Sequence, residues 1–289
     1  MVLRKSSGAA KKLRFSSAAS ATTPLGRSKA GGRFLNLASP DKNLVSSRFK
    51  KSLPTYSDNA FVQKKMASEL LGQILALGRE SYPKIFEIGC GSGLLTEMAA
   101  GALDYERYCL NDLVGECRAL ENKIHGGKFL EGDIENLSPL PSCMDLIISN
   151  AAFQWLSDLP TLLDRLAGTL APGGALGFST FGPGNAVEIA RICGEALSYP
   201  SPEEIKRALN KNFDVLYFSE EAHKIRFENP LEVLRHLKLT GATGVRIERW
   251  TKKRLTEFCA GYEARFSEGG GVTLTYHPVI VVALLREQN

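Results

Sequence analysis

The stretch FEIGCGSGLLTEMA, residues 86–99, sets glycines at 89, 91 and 93 between a short apolar run and a helix-like one. Glycine reaches positive φ and lets a backbone approach a ligand with no Cβ in between. A nicotinamide fingerprint, G-x-G-x-x-G, would put its third glycine at position 94, where this chain has Leu94. A pyrophosphate reader is therefore disfavoured, and a tight turn without a ligand stays open on this stretch alone.

Working outward, strand and helix alternate. KIFEIG (84–89) reads as a strand and GLLTEMAAGAL (93–103) as a helix. RYCLND (107–112), KFLEGDI (128–134), MDLIISN (144–150) and ALGFSTF (175–181) read as further strands. VGECRALENKI (114–124) and LPTLLDRLAGTL (159–170) read as helices, the second stopped by Ala171-Pro172-Gly173-Gly174. This order implies parallel βαβ units. The expected fold is α/β: a Rossmann-like, doubly wound, mostly parallel seven-stranded sheet with an antiparallel edge strand and helical lid insertions. Upstream, Phe61, Met66, Leu70, Ile74 and Leu77 predict a lid helix over 57–77, capped by Ser57 or Asp58. Downstream, NAVEIARICGEAL and SPEEIKRALNKN read as helices, DVLYF and HKIRF as strands, and 229–267 as a helical insertion. VTLTYHPVIVVALL reads as one long final strand.

Ligands of such sheets bind outside the carboxyl ends of the strands. The second strand ends in Asp112, placed to take both hydroxyls of a ribose; the third ends in Asp133-Ile134, an acid for an adenine amino group and a side chain for its ring. The fourth ends in Asn150. A glycine turn followed by these three tips resembles the class I S-adenosylmethionine methyltransferases. The resemblance implies that Glu87 lies near the methionine amino group and that Gly89 and Gly91 shape the turn around it. Cys90, Leu113, Gln63 and Gln154 complete the implied cofactor set. The two prolines that follow the polar tip in enzymes acting on base or amide nitrogens are missing from Asn150-Ala151-Ala152-Phe153.

The outer motifs TYSDNAFVQKKMA, GDIENL, ISNAAFQW, FSTFGPGN, LRHLKLTGA and LTYH occur in this order between about Ser47 and Arg286. Together they resemble the BioC family, the malonyl-acyl carrier protein O-methyltransferases of biotin synthesis. That resemblance implies methyl transfer from S-adenosylmethionine to the free carboxylate of malonyl-acyl carrier protein or malonyl-CoA, making a primer for the pimeloyl moiety. Another small carboxylate or a quinone-type acceptor is the alternative. Tyr56, Trp155, Lys238 and His277 are the implied catalytic residues, with Tyr276 beside them; His277 also reads as a satisfied core histidine. A malonyl carboxylate is ionised at neutral pH, so no general base and no metal is expected.

Composition narrows the partners. The 289 residues are 44 % apolar and 23 % charged, ordinary for a globular chain. The net charge of +5 comes from residues 1–40, with eight basic residues and no acid; residues 41–289 hold 28 basic against 31 acidic residues. No nucleic-acid partner is expected of such a body. Residues 1–43 read as a disordered basic tail, with a transit peptide or an electrostatic arm as alternatives, and 44–289 as the methyltransferase domain. The longest apolar run, VIVVALL, is too short to span a membrane. Six cysteines without a C-x-x-C pair suit a reducing compartment, so a cytoplasmic monomer is expected. Lys50-Lys51, Lys64-Lys65, Arg246, Arg249 and Lys252-Lys253-Arg254 offer docking patches for an acidic carrier. Deleting residues 1–40 is expected to leave turnover largely unchanged in a methyl-transfer assay, whereas an RNA methyltransferase that grips with this tail would lose activity.

Overall fold

The computed structural model describes residues 36–38, 40–241 and 250–287. Most of the expected basic tail lies outside these residues. Its expected end at residue 43 does not hold, because Asn36–Ala38 (β1) pairs in parallel with Glu195–Leu197 (β7) and the first helix begins at Lys42. Asp41 caps that helix, Lys42–Asn59 (α1), by accepting a bond of 3.1 Å from the Leu44 N–H. Phe61–Leu75 (α2) follows after Ala60. The single helix expected over 57–77 is thus two helices, and Ser57 and Asp58 lie inside α1 instead of capping α2. Pro54 discourages a helical reading of α1 from sequence, yet it is accommodated inside that helix.

The alternating core follows as Lys84–Ile88 (β2), Leu94–Ala102 (α3), Arg107–Asp112 (β3), Gly127–Glu131 (β4), Met144–Asn150 (β5), Leu159–Ala167 (α4) and Leu170–Phe181 (β6). Two expectations change here. The helix expected over 114–124 is a 3₁₀ turn, Gly115–Leu120, whose buried Cys117 and Leu120 stand three residues apart, the 3₁₀ period. Ala171-Pro172-Gly173-Gly174 does not stop α4; Gly168 ends the helix and those four residues form the irregular entry to β6. Val187–Cys193 (α5), Pro202–Leu209 (α6), Phe213–Glu220 (β8), His223–Phe227 (β9), Pro230–Leu239 (α7) and Lys252–Phe266 (α8) come next. Ser201 and Glu204 form a reciprocal capping box at α6.

The final run is not one strand. Ser267–Glu268 (β10), Gly271–Tyr276 (β11) and β9 form a small antiparallel sheet, whereas Pro278–Leu285 (β12) enters the main sheet, with the break at His277. The main sheet runs β4-β3-β2-β5-β6-β12-β8. β12 is its antiparallel strand, one place in from the edge, and pairs with both β6 and β8. Residue pattern explains the order. VIVVA of β12 is buried on both faces, as an inner strand requires, while β8 alternates and exposes Leu216 at 54 %. α2 and α3 pack on one face and α4 and α6 on the other. Over the carboxyl ends, α7 and α8 bury Val233, Leu237, Phe258 and Tyr262 against Val272, Leu274 and Tyr276 of β11.

Leu146 at the centre of β5 is fully buried. Leu146→Ala is expected to cost about 2–5 kcal/mol in denaturant unfolding. Leu216→Ala on the exposed edge is expected to change stability by no more than about 0.5 kcal/mol.

Candidate active site

All three glycines of the opening stretch take positive φ: +70° at Gly89, +56° at Gly91 and +90° at Gly93. A Cβ on Gly89 would stand 2.4 Å from the Ala152 Cβ beyond the tip of β5, and one on Gly91 3.0 Å from Phe49 Cζ of α1. The turn is further pinned by bonds of 2.8 and 3.0 Å from the Gly89 and Cys90 N–H groups to the Asn111 carbonyl. Backbone shape alone demands these glycines. What lies beside them shows that the turn is also the floor of a cleft.

That cleft, open to solvent, spans about 930 Å³. Glu87, Gly89, Cys90, Gly91, Asp112, Leu113, Asp133, Ile134 and Asn150 all line it, drawn from four successive strand ends and the turns after them. Helix α1 roofs it with Lys42, Val45, Phe49 and Tyr56. Asp112 is buried, and its two carboxylate oxygens accept one bond each of 2.8 Å, from the Gly91 and Val114 N–H groups. Burial still pushes its pKa up. A carboxylate at this strand end is an acceptor of the kind a ribose diol uses. Glu87 is buried as well and accepts from the Tyr108 hydroxyl at 2.7 Å. Desolvation pushes its carboxyl up to about 7. Asp133 is differently placed. Lys42 Nζ lies 2.7 and 2.6 Å from its two oxygens, the Asn136 amide donates at 2.8 Å and the Glu135 N–H at 3.1 Å. Its four lone-pair sites are all engaged, so an adenine amino group reaches it only if Lys42 yields. Lys42 also pairs with Glu135.

A second cavity of about 600 Å³ adjoins the first and shares Val45, Phe49, Tyr56, Ala151 and Trp155 with it. Gln63 and Gln154, expected around the cofactor, line this second cavity and not the cleft. Both are buried, and the Oε1 atom of each is without a hydrogen-bond partner. Gln154 donates its Nε2–H to the Ala151 carbonyl, which aims its oxygen away from that contact. Tyr56 and Trp155 therefore stand in the wall between the two spaces. Burial pushes the Tyr56 phenol well above its ordinary pKa, with the Asp112 charge adding to the effect. Tyr56 is therefore a hydrogen-bond donor at neutral pH.

Two expected catalytic residues are placed elsewhere. Lys238 is exposed on α7 and lines neither cavity, because the residues that turn inward there are Leu237, Thr240 and Gly241. His277 also lines neither. Its Nδ1 accepts from the Gly184 N–H at 3.0 Å, and its Nε2 lies 3.6 Å from the Glu220 carboxylate. A Cβ on Gly182 or Gly184 would meet the His277 ring at 2.9 or 3.0 Å. The FGPGN and LTYH motifs are therefore one packed unit. Arg246 and Arg249 lie outside the described residues. Sequence reasoning missed Lys42 and Phe49, although Val45, Phe49 and Tyr56 recur four and seven apart, a helical face. It also missed Asn185, although the quoted motif FSTFGPGN ends on it, and Tyr199, which no local pattern marks.

The raised Glu87 pKa has a consequence for stability. Between its ordinary value of 4.5 and about 7 the native state holds a proton that the unfolded chain has released. Stability thus falls as pH rises through that window. Glu87→Gln is expected to stabilise the ligand-free protein by on the order of 1–3 kcal/mol at pH 8 and by almost nothing near pH 4, as read by chemical denaturation.

Residues 86–178, from β2 to the middle of β6, match the family model described as a methyltransferase domain. Among solved structures, the YcgJ protein from Bacillus subtilis aligns with a TM-score of 0.54 at 15 % identity, over 76 % of this chain and 100 % of that one. A chain from the complex of the Haloferax volcanii Trm112 methyltransferase activator with a methyltransferase aligns at 0.56 and 16 %, over 85 % and 99 %. These likenesses concern the fold. Whole-chain relatives go further. The malonyl-acyl-carrier-protein O-methyltransferase of Chlorobium phaeovibrioides is 41 % identical over 254 residues, covering 86 % of this chain and 98 % of that protein. Its counterpart in Bacteroides thetaiotaomicron is 36 % identical over 256 residues, covering 84 % and 98 %. With the sheet, the glycine turn and the near-complete overlap in agreement, the chain belongs to the malonyl-acyl-carrier-protein O-methyltransferase family.

Proposed function

We propose that this protein transfers a methyl group from S-adenosylmethionine to the free carboxylate of malonyl-acyl carrier protein or malonyl-CoA, making the methyl ester that primes the pimeloyl moiety of biotin. The observation that carries the reading is the pair of adjoining cavities with Tyr56 and Trp155 in the wall between them. One space has the fittings of a nucleoside cofactor and the other those of a polar, enclosed acceptor.

The residues of the first cleft fit S-adenosylmethionine. Asp112 offers a carboxylate to the ribose hydroxyls, Ile134 an apolar surface for the base, and the glycine turn a backbone close enough that any Cβ would collide with its neighbours. Glu87 offers a carboxyl at the same turn to the methionine ammonium, whose charge favours the ionised acid. The cofactor supplies an electrophilic methyl on a sulfonium. The protein then has to position the acceptor and exclude water, since the attacking carboxylate is already ionised. Helix α1 closes the cleft from above, with Lys42 tying it to Asp133 at one end and Tyr56 reaching both cavities at the other. The Tyr56 hydroxyl, kept protonated by burial, donates to the incoming carboxylate; Trp155 walls the acceptor channel.

The rest of the assignment is consistent with this chemistry. Residues from 36 onward belong to one unit, Phe34–Asn289, and we assign the methyltransferase domain to it. All six cysteines are free and, among the described residues, no helix is long and apolar enough to cross a membrane. A monomer working in the cytoplasm, with the acidic carrier steered by Lys50-Lys51, Lys64-Lys65 and Lys252-Lys253, suits these features.

Purified protein given S-adenosylmethionine and malonyl-acyl carrier protein is expected to yield the methyl ester and S-adenosylhomocysteine, detected by mass spectrometry. A panel of other small carboxylates and quinone-type acceptors, tested alongside, should be poorer; failure with both malonyl-carrier and malonyl-CoA overturns the reading. Asp112→Ala is expected to weaken S-adenosylhomocysteine binding at least about tenfold by calorimetry. Lys238→Ala, on the outer face of α7, should leave kcat unchanged.

A further inference from the structure

No lysine or arginine is among the described residues that line the second cavity. Three phenols stand there: Tyr56, Tyr199 and Tyr276. Two of them have a nitrogen partner behind the hydroxyl. Asn185 Nδ2 donates to the Tyr199 oxygen at 3.0 Å. That amide cannot be turned round, because its Oδ1 accepts from the His277 N–H at 3.3 Å. The Tyr199 oxygen therefore accepts a hydrogen bond from Asn185 and has its own proton to donate. Tyr276, 3 % exposed, has the matching partner in His236, whose Nε2 lies 2.7 Å from the phenol oxygen. His236 is held between the rings of Phe61 and Phe227, each 5.2 Å away, so its imidazole cannot swing.

We propose that His236 on α7 positions the Tyr276 hydroxyl as a donor to the acceptor's carboxylate, and that Asn185 does the same for Tyr199, so that neutral phenols recognise the anion. This deepens the malonyl-carrier reading and rests on it. A neutral imidazole and a phenol can share their hydrogen bond in two ways. With the imidazole proton on Nδ1, the phenol donates to Nε2 and shows the cavity only lone pairs. With the proton on Nε2, the imidazole donates and the phenolic proton faces the cavity. A carboxylate is an acceptor only, so its arrival selects the second arrangement. Burial lowers the His236 pKa and raises those of Tyr199 and Tyr276, which keeps all three groups in the neutral forms this exchange requires.

The chemistry of the reaction explains why neutral donors suit the site. Methyl transfer converts a carboxylate into an uncharged ester. A buried lysine or arginine paired to the carboxylate would be stranded without a partner at that moment, a large desolvation cost. Phenols and amides leave no charge behind. They also pull less electron density from the attacking oxygen than a cation would. The same cage holds the acid more tightly than the ester, so the product is released.

The test uses the full-length protein loaded with S-adenosylhomocysteine, titrated with malonyl-acyl carrier protein and with acetyl-acyl carrier protein, which differ by the carboxylate. The unaltered protein is expected to favour malonyl. His236→Leu and Tyr276→Phe should each weaken malonyl-carrier binding on the order of ten- to a hundredfold while leaving acetyl-carrier and S-adenosylhomocysteine affinities in place. In turnover the loss should fall on KM more than on kcat. His236→Gln, which still presents an N–H, should recover part of the preference. Tyr199→Phe gives a second reading of the cage if an α7 variant does not fold. Equal losses for the malonyl and acetyl carriers, or undiminished malonyl preference in variants that bind S-adenosylhomocysteine normally, overturn the proposal. If the unaltered protein prefers malonyl-carrier but makes no ester from it, the functional reading fails and the cage survives.

Discussion

The Asp112 carboxylate, buried and held between the Gly91 and Val114 N–H groups, joins two successive strand ends into one rigid floor. A buried carboxylate is costly unless hydrogen-bonded, and these two amides offset that cost. They can do so only because the turn at Gly91 adopts positive φ and turns its N–H inward. The turn in turn admits no Cβ, since Ala152 and Phe49 occupy the space. The sheet order, the tip of β5 and the approach of α1 are thus all constrained by the geometry of one hydrogen-bonded acid.

The two cavities differ in electrostatic character. The cofactor cleft carries Glu87, Asp112 and Asp133, with Lys42 as the counter-charge at the adenine end. It is an acidic site, suited to a ligand with an ammonium and a sulfonium. The acceptor space carries no formal charge among its described residues and presents hydroxyls and amides. On the proposed reading, the cofactor's cationic sulfonium faces the incoming carboxylate across the Tyr56–Trp155 boundary. The exposed lysines on α1, α2 and α8 are outside both spaces.

Much of the central sheet was legible because its parallel strands read as short apolar runs, several of them ending in a polar tip or a glycine. The parts that were not legible depend on long-range packing. α1 has a helical face in Val45, Phe49 and Tyr56, but Pro54 obscures it and only the cleft beneath gives that face a partner. His277 looked chemical in LTYH; its ring is instead matched to Gly182 and Gly184, over ninety positions earlier, through the bond at Gly184. Gln63 and Gln154 were assigned to the cofactor from their motifs, which could not say which of two adjoining spaces they line. The pairing of His236 with Tyr276 spans forty positions and two elements, α7 and β11, and has no local signature at all.

The place of β12 reaches beyond the site. It is made after β8 in the chain, yet it lies between β6 and β8 and gives β8 its place in the sheet. During synthesis, then, β8 has no strand to pair with until residues 278–285 have emerged from the ribosome. The five strands from β4 to β6 can assemble early, while the other edge waits unpaired, the stage at which such chains are most exposed to aggregation. Because β11 and β12 are joined at His277, the same late event that closes the sheet also brings Tyr276 into the roof of the acceptor cavity. The nascent chain therefore acquires its acceptor pocket only once β12 is in place.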